Sequence, residues 1–287
     1  MKRIGLMVKS SSAEAVGFGC EVAAWVKGRG TEVFITPDLA DRIPAATALS
    51  LDDLPDAIEA MIVLGGDGTM LAAARLINGR KVPIVGVNLG GLGFLTAIAM
   101  KEAYPLLERV LNDDYAVEER MMLAVEVEAH GKINSRHKVL NDVVIKATSA
   151  RLARMETRIN KEYIATYRAD GLIIATPTGS TAYSLSAAGP ILYPTIHSII
   201  VNPICPFNLT NRPVVIPDWM TVDVTIMQGN SEVQLVLDGQ VDLPLSIGDR
   251  IMVRRAGESV YLIKNEGKGY FDILRERFLW EPGKSGR

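Results

Sequence analysis

Unbroken apolar runs alternate with helix-period stretches over the first hundred residues. Residues 4–8 form one run, after which Ser11 or Ser12 can cap a helix reaching Val26 and stopped by Gly28 and Gly30. Residues 31–36 are strand-like and end at Pro37. Residues 60–64 form a second run, followed by Gly65-Gly66-Asp67-Gly68 and a helix pattern over 69–77. Residues 82–87 repeat the strand signal and open into a glycine-rich loop, 88–94. Runs without alternation, separated by helices, predict a parallel sheet covered on both faces. The expected fold of this part is an open, mostly parallel, Rossmann-like α/β domain.

A helix over 101–111 leads into a different texture. Short strands with period-two stretches are predicted at 123–128, 139–145, 155–159, 163–167, 172–176, 214–216, 222–227, 233–237, 250–254 and 260–263. Gly229-Asn230 and Asp238-Gly239 mark turns among them, and one helical interruption stands at 181–188. Residues 270–280 read as a final helix packing back on the first domain, and 282–287 as a frayed tail. The predicted organisation is an α/β domain over 1–114, a β-rich domain over 115–266, and a C-terminal helix and tail over 267–287.

Length and charge narrow the function classes. At roughly 150 residues per domain, 287 residues accord with two domains. The 31 Lys and Arg against 33 Asp and Glu leave a net charge of −2, with no basic footprint for nucleic acid or an anionic membrane surface. Cys20 and Cys205 lie far apart, and His130, His137 and His197 form no ligand-spaced pair. Neither a disulfide scaffold nor a zinc site is expected. The apolar run before Lys9 is too short for a signal peptide, and no later run is long enough to span a bilayer. A soluble cytoplasmic enzyme or binding protein is expected.

The first chemical candidate is Gly65-Gly66-Asp67-Gly68-Thr69, delivered to the C-terminal end of a parallel strand, where open α/β sheets bind ligands. Glycines let a backbone approach a phosphate, and the following helix supplies N–H groups at its N-terminus. Asp67 is the informative residue. A carboxylate repels a phosphate, so it needs a use such as accepting a proton from a hydroxyl or organising Mg²⁺; the plainer use is a helix cap or turn. The loop lacks the Gly-Lys-Ser/Thr ending of a Walker A motif. Read as a dinucleotide fingerprint, it places Leu71 where Gly or Ala is needed, which weakens an oxidoreductase reading.

The second candidate runs from Arg168 to Pro190. An apolar strand enters Thr176-Pro177-Thr178-Gly179-Ser180-Thr181 and a small-residue helix, so hydroxyls and N–H groups gather at a helix start. Such a surface suits ribose and phosphate. Asp170-Gly171 also reads as a hairpin turn, Arg168 as half of a surface ion pair, and Tyr183 and Leu185 as core residues.

These residues, with Asn88 to Thr96 and Asn141-Asp142, closely resemble the NAD kinase family. The Gly-Gly-Asp-Gly-Thr loop is shared with lipid kinases of the diacylglycerol type, whereas the Thr-Pro-Thr-Gly-Ser-Thr-Ala-Tyr-Ser run is specific to NAD kinases. The resemblance extends from the first strand to Gln240. It implies two domains that enclose NAD, and transfer of the γ-phosphoryl group of ATP, or of polyphosphate, to the 2′-hydroxyl of the adenosine ribose. It implies Asp67 as proton acceptor with Gly68 beside the nucleotide, and Asn141 and Asp142 on ribose hydroxyls. Asp170 would reach the nicotinamide side with Arg168 close by, and Arg154 the pyrophosphate. Thr178, Thr181, Ala182, Tyr183, Ser184, Leu185 and Ser186 would line the NAD site, and Gln240 would close it. Mg²⁺ or Mn²⁺ would accompany ATP, and the chain would form a homodimer or homotetramer through the β-rich domain. The chain departs from the family in carrying Asp142 where Glu is commoner, and Ala72 where relatives carry a basic residue, so no contact to the ATP phosphates is assigned. Phe94 reads as an adenine platform or a core residue. A lipid kinase would need a membrane-facing amphipathic segment, and none is evident; a non-catalytic NAD-sensing module would have no use for Asp67.

Overall fold

The computed structural model describes residues 1–279 apart from Leu92, Ala97, Asn230, Ser231 and Glu266. The expected turn residue Asn230, Leu92 of the glycine loop, the helix end at Trp280 and the tail 282–287 lie outside the described residues. Two compact units are present, Met1–Glu119 with Val260–Arg287, and Arg120–Ser259. Their limits fall inside strands rather than in loops, because the strands 117–129 and 250–263 run on without a break.

In the first unit, β1 (Arg3–Val8) precedes α1 (Ala13–Lys27), β2 (Glu32–Ile35), β3 (Thr47–Ala48) and the single turn α2 (Leu54–Ala57). There follow β4 (Ala60–Leu64), α3 (Asp67–Ile77), β5 (Ile84–Asn88), β6 (Ile98–Ala99) and α4 (Ala103–Leu111). The strands are parallel in the order β5-β4-β1-β2-β3, with β6 beside β5. Every residue of β4 and β5 is buried, as runs covered by helices on both faces require. Of the two candidate caps for α1 it is Ser12 that acts, its hydroxyl accepting the Ala15 N–H at 3.2 Å. Because β1 has β2 on one side and β4 on the other, the winding reverses between β1 and β4. That opens a crevice at their C-terminal ends.

The second unit is all-β but for one turn of helix. β7 (Val117–Ala129) pairs antiparallel with β8 (Lys132–Val139). β9 (Asp142–Ala147), β10 (Ala153–Ile159), β11 (Glu162–Ala169), β12 (Gly171–Ala175), β13 (Ser198–Ile204), β14 (Val214–Pro217), β15 (Val222–Ile226), β16 (Val233–Leu237), β17 (Val241–Leu245) and β18 (Arg250–Ile263) complete it. One antiparallel sheet joins β11, β10, β15 and β18; another has the order β14-β13-β12-β9-β16-β17. A single core draws Met155, Val224 and Val253 from the first and Ile145, Leu172, Ile199 and Leu235 from the second, so the two pack face to face. The expected strand over 139–145 is broken at Leu140 and Asn141, whose N–H groups leave the ladder for a side chain described below. The expected helix over 181–188 shortens to a 3₁₀ turn, Thr178–Thr181, and α5 (Tyr183–Ser186), because Ala182 (φ −94, ψ −130) interrupts it. Strands β8, β13 and β17 were not expected.

The chain then returns to the first unit. Leu262 of β18 pairs in parallel with Ile84 of β5. The last helix, α6 (Tyr270–Phe278), sets the Phe278 ring 5.9 Å from that of Phe94, so it packs back as expected. Among the described residues no helix is long and apolar enough to cross a membrane.

Candidate active site

A cavity of about 400 Å³ occupies the crevice of the first unit, lined by Lys9 and Ser12 after β1, Gly65, Gly66 and Asp67 after β4, and Asn88 at the end of β5. Arg277 of α6 also lines it. Helix α3 begins at Asp67, two residues earlier than expected, with Gly66 extended as its N-cap. The Asp67 carboxylate is therefore fixed in a first helical turn and turned toward the glycine-rich loop. Its Oδ1 accepts the Leu95 N–H at 3.0 Å, the Thr96 N–H at 3.2 Å and the Thr96 hydroxyl at 3.1 Å. Its Oδ2 accepts only the Phe94 N–H among these bonds, at 2.9 Å. Asn88 Nδ2 donates to Thr96 Oγ1 at 2.7 Å, orienting that hydroxyl toward Asp67. Asp67 therefore does not cap α3; its Oδ1 is saturated by the loop, whereas Oδ2 keeps lone-pair capacity for a further donor. Phe94 is engaged by Phe278 and by the Arg277 guanidinium, 5.5 Å from its centroid, and so serves the fold.

A second cavity, about 390 Å³, lies in the second unit over Val144 and Val236, rimmed by Asn141, Asp142, Ala182, Tyr183 and Asp238. Asp238 sits in the β16–β17 turn, with φ +50 followed by Gly239 at +63. Its carboxylate receives three consecutive main-chain N–H groups: Leu140 at 2.9 Å, Asn141 at 2.7 Å and Asp142 at 3.1 Å. The Asp238 N–H returns a bond to the Asp142 carbonyl at 3.0 Å. This is the side chain that breaks the expected strand at 140–141. Asp142 is only 4% exposed. Burial first, and the Asp238 charge second, push its carboxyl up to about 7, against the opposing pull of the Tyr183 N–H. Asn141 Oδ1 is buried with no partner within the fold, an acceptor available to a ligand donor.

Residues 4–115 match the family model for the ATP-NAD kinase N-terminal domain, and residues 140–265 the model for the ATP-NAD kinase C-terminal domain. The chain belongs to the ATP-NAD kinase family. It is 44% identical over 281 residues to the NAD kinase of Geotalea daltonii, and 45% identical over 281 residues to that of Geobacter sulfurreducens; each match covers 98% of this chain and 99% of the relative. The crystal structure of yeast NADH kinase complexed with NADH is similar, with a TM-score of 0.89 and 25% identity, over 100% of this chain and 89% of that one. An NAD kinase from Archaeoglobus fulgidus, in complex with ATP, shares the fold at a TM-score of 0.76 over 96% of this chain and 99% of that one.

The residues that carried the ATP-NAD kinase resemblance do not all reach a cavity. Asp67, Asn141, Asp142, Ala182 and Tyr183 line one or the other, and Gly68 follows Asp67 in α3. Thr178 and Ser184 are buried behind the surface. The Thr178 hydroxyl accepts from Arg120 at 3.3 Å, and that of Thr181 donates to the Thr178 carbonyl at 3.2 Å. Leu185 is partly buried and Ser186 exposed, and neither lines the cavity; Gln240 follows the lining residue Gly239. The hydroxyl-rich run thus builds the turn more than it presents a ligand surface. Asp170 and Arg168 stand apart: Asp142 pairs with Ala175 at one end of β12 and Lys146 with Gly171 at the other, about 13 Å away at strand rise. Arg168 stacks on Phe207 at 4.8 Å and pairs across strands with Arg154. Among the described residues no group of three or more His, Cys, Asp or Glu could hold a metal ion. Sequence reasoning passed over Lys9, Arg277 and Asp238. Lys9 directly follows β1 and could have been flagged on that ground; Arg277 reaches the cavity only through the return of α6.

Proposed function

We propose that this chain transfers the γ-phosphoryl group of ATP to the 2′-hydroxyl of the adenosine ribose of NAD, giving NADP and ADP. The observation that carries the proposal is Asp67 Oδ2, an oxygen with one main-chain bond, facing a glycine-lined cavity at the switch point of a parallel sheet. A ribose hydroxyl is a weak nucleophile at neutral pH. As its oxygen forms the bond to the γ-phosphorus, its proton passes to Asp67 Oδ2, and the bond to the β,γ-bridging oxygen breaks with the electron pair leaving on ADP.

Lys9 and Arg277 are the cations of that cavity and take the place of the missing basic residue at Ala72, offsetting phosphate charge beside Asp67 and Glu14. Mg²⁺ or Mn²⁺ enters as part of the nucleotide substrate. Polyphosphate offers the same phosphoanhydride. The cavity of the second unit holds ribose hydroxyls through Asn141 and Asp142, two short polar side chains at the start of β9 whose main chain is held by the Asp238 carboxylate. The unpaired thiols of Cys20 and Cys205 suit a reducing cytoplasm. Exposed apolar side chains on the β-rich unit support a homodimer or homotetramer.

Asp67→Asn removes the proton acceptor while keeping shape. Turnover is expected to fall by a factor on the order of 10²–10⁴, with NAD affinity by calorimetry within about threefold of wild type. Near-normal turnover would refute the assignment of Asp67 as the proton acceptor.

A further inference from the structure

Three carboxylates line the second cavity, those of Asp142, Asp238 and Asp242, and of the neighbouring pair Asp142 and Asp238 only one has its charge provided for. Asp238 accepts three main-chain N–H bonds of 2.7 to 3.1 Å from residues 140–142. A carboxylate solvated by amides in this way is stable as an anion. Asp142 is buried next to it and has one main-chain donor, Tyr183. The other titratable groups lining the cavity are Lys146 of β9, Asp242 of β17 and the Tyr183 phenol of α5. Within the pair, Asp238 keeps the charge and Asp142 bears the proton when only one is ionised.

We propose that Asp238 is a positioning residue of this site: its carboxylate fixes the backbone of Asn141 and Asp142, and its charge decides whether Asp142 meets a ligand as an acid or as a carboxylate. The ligand class is a vicinal diol such as a ribose. A carboxylate accepts from both hydroxyls of a diol, and such charge-assisted bonds are roughly twice as strong as neutral ones. The site therefore grips its ligand best with Asp142 ionised. Affinity rises with pH through the region where Asp142 loses its proton, and binding below that region releases a proton to solvent. This rests on the proposed binding of NAD at this cavity.

The test is isothermal calorimetry of the full chain with NAD alone, from pH 5.5 to 8.5. ATP, whose terminal phosphate titrates in this range, is left out, and NAD itself has no group that titrates there. For wild type the dissociation constant is expected to fall about tenfold between pH 6 and 8, as one carboxyl titrating near neutrality dictates. Asp238→Asn removes the charge but keeps the shape. Its binding is expected to be weaker at all pH values, with the pH-dependent limb moved to lower pH as the Asp238 charge is lost, while burial still holds Asp142 above the ordinary carboxylate range. Asp142→Asn, which leaves Asp238 in place, is expected to bind NAD weakly and with no pH dependence. A wild-type affinity flat across the range, or a limb that stays put in Asp238→Asn or persists in Asp142→Asn, would overturn the inference while leaving the function intact. No NAD binding by wild type at any pH would instead remove the functional proposal beneath it. A purely structural Asp238 would lower affinity and melting temperature together without moving the limb.

Discussion

A methyl group added at Gly93 would lie 2.1 Å from Asp67 Oδ1 and 2.4 Å from Thr96 Oγ1. No side chain fits there unless the loop withdraws, and withdrawal would release the three donors that saturate Oδ1. Gly93→Ala is accordingly expected to keep the fold, since the core of the unit is built by its strands and helices, but to cost turnover about a hundredfold or more by unfixing Asp67. Steady-state kinetics with circular dichroism as the fold control measures this; turnover within threefold of wild type would show that the loop does not need Asp67 held in this way. At this scale the sequence was partly legible. Asp67 announces itself, because a carboxylate between glycines at a strand end has few uses. Its partners do not, because Phe94, Leu95 and Thr96 lie 27 to 29 residues further on. Asp238 was hidden more deeply. Asp-Gly after a strand reads as a turn, and it is one; only the tertiary pairing with residues 96 to 98 positions away turns its carboxylate into an organiser of the site.

Elements were legible where burial is one-sided and less so where it is not. Strand β10 alternates buried and exposed positions, and its pattern gave it away. The first unit's β4 and β5 are buried throughout and were read as parallel strands. In the second unit β12 and β13 are also buried throughout, although antiparallel. The reason is that the segment after β12 lies on their outer face, with Ala187 and Leu192 over Ile173 and Ile200. Strand β13 escaped notice because Asn202 and Pro203 interrupt its apolar run. Asn202 has a tertiary duty: its Nδ2 donates to the carbonyls of Ser184 at 3.0 Å and Ala187 at 3.2 Å, tying α5 to the sheet beside the cavity that Ala182 and Tyr183 line. Helix α5 is one turn long and has no helical stability of its own, so these bonds hold it. Asn202→Ala is expected to destabilise the protein by about 1–3 kcal/mol, the usual cost of leaving buried acceptors unpaired. The Michaelis constant for NAD should rise severalfold with that for ATP unchanged. Thermal melting with both Michaelis constants checks this, and an equal rise in the two would mean that the effect is general loosening.

The whole molecule presents an apolar surface that its composition conceals. A net charge of −2 and 48% hydrophobic residues describe an ordinary globular chain, and nothing in Phe207, Leu209 or Trp219 as letters separates them from core residues. In the folded second unit they are 66%, 84% and 68% exposed. Beside them in the chain runs β14, the outermost strand of its sheet, with Val214 and Val215 both exposed. Uncharged edge strands with bare valines invite pairing with another chain, and monomeric proteins guard against this with lysines or bulges. Arg212 is the nearest basic residue, and it is turned back onto the carbonyls of Leu209 and Asn211. This edge is thus suited to a second copy, and burial of its large side chains against one would remove from water the most exposed apolar groups of the unit. Light scattering at micromolar concentration is expected to give about two or four times the 31.2 kDa of one chain. Leu209→Asp combined with Trp219→Glu places charges into that interface without touching either cavity, so the mass should drop toward one chain while the melting transition stays cooperative. If wild type scatters as a single chain, or if the double variant keeps the full assembly mass, association through this edge is ruled out and its apolar side chains must serve another contact.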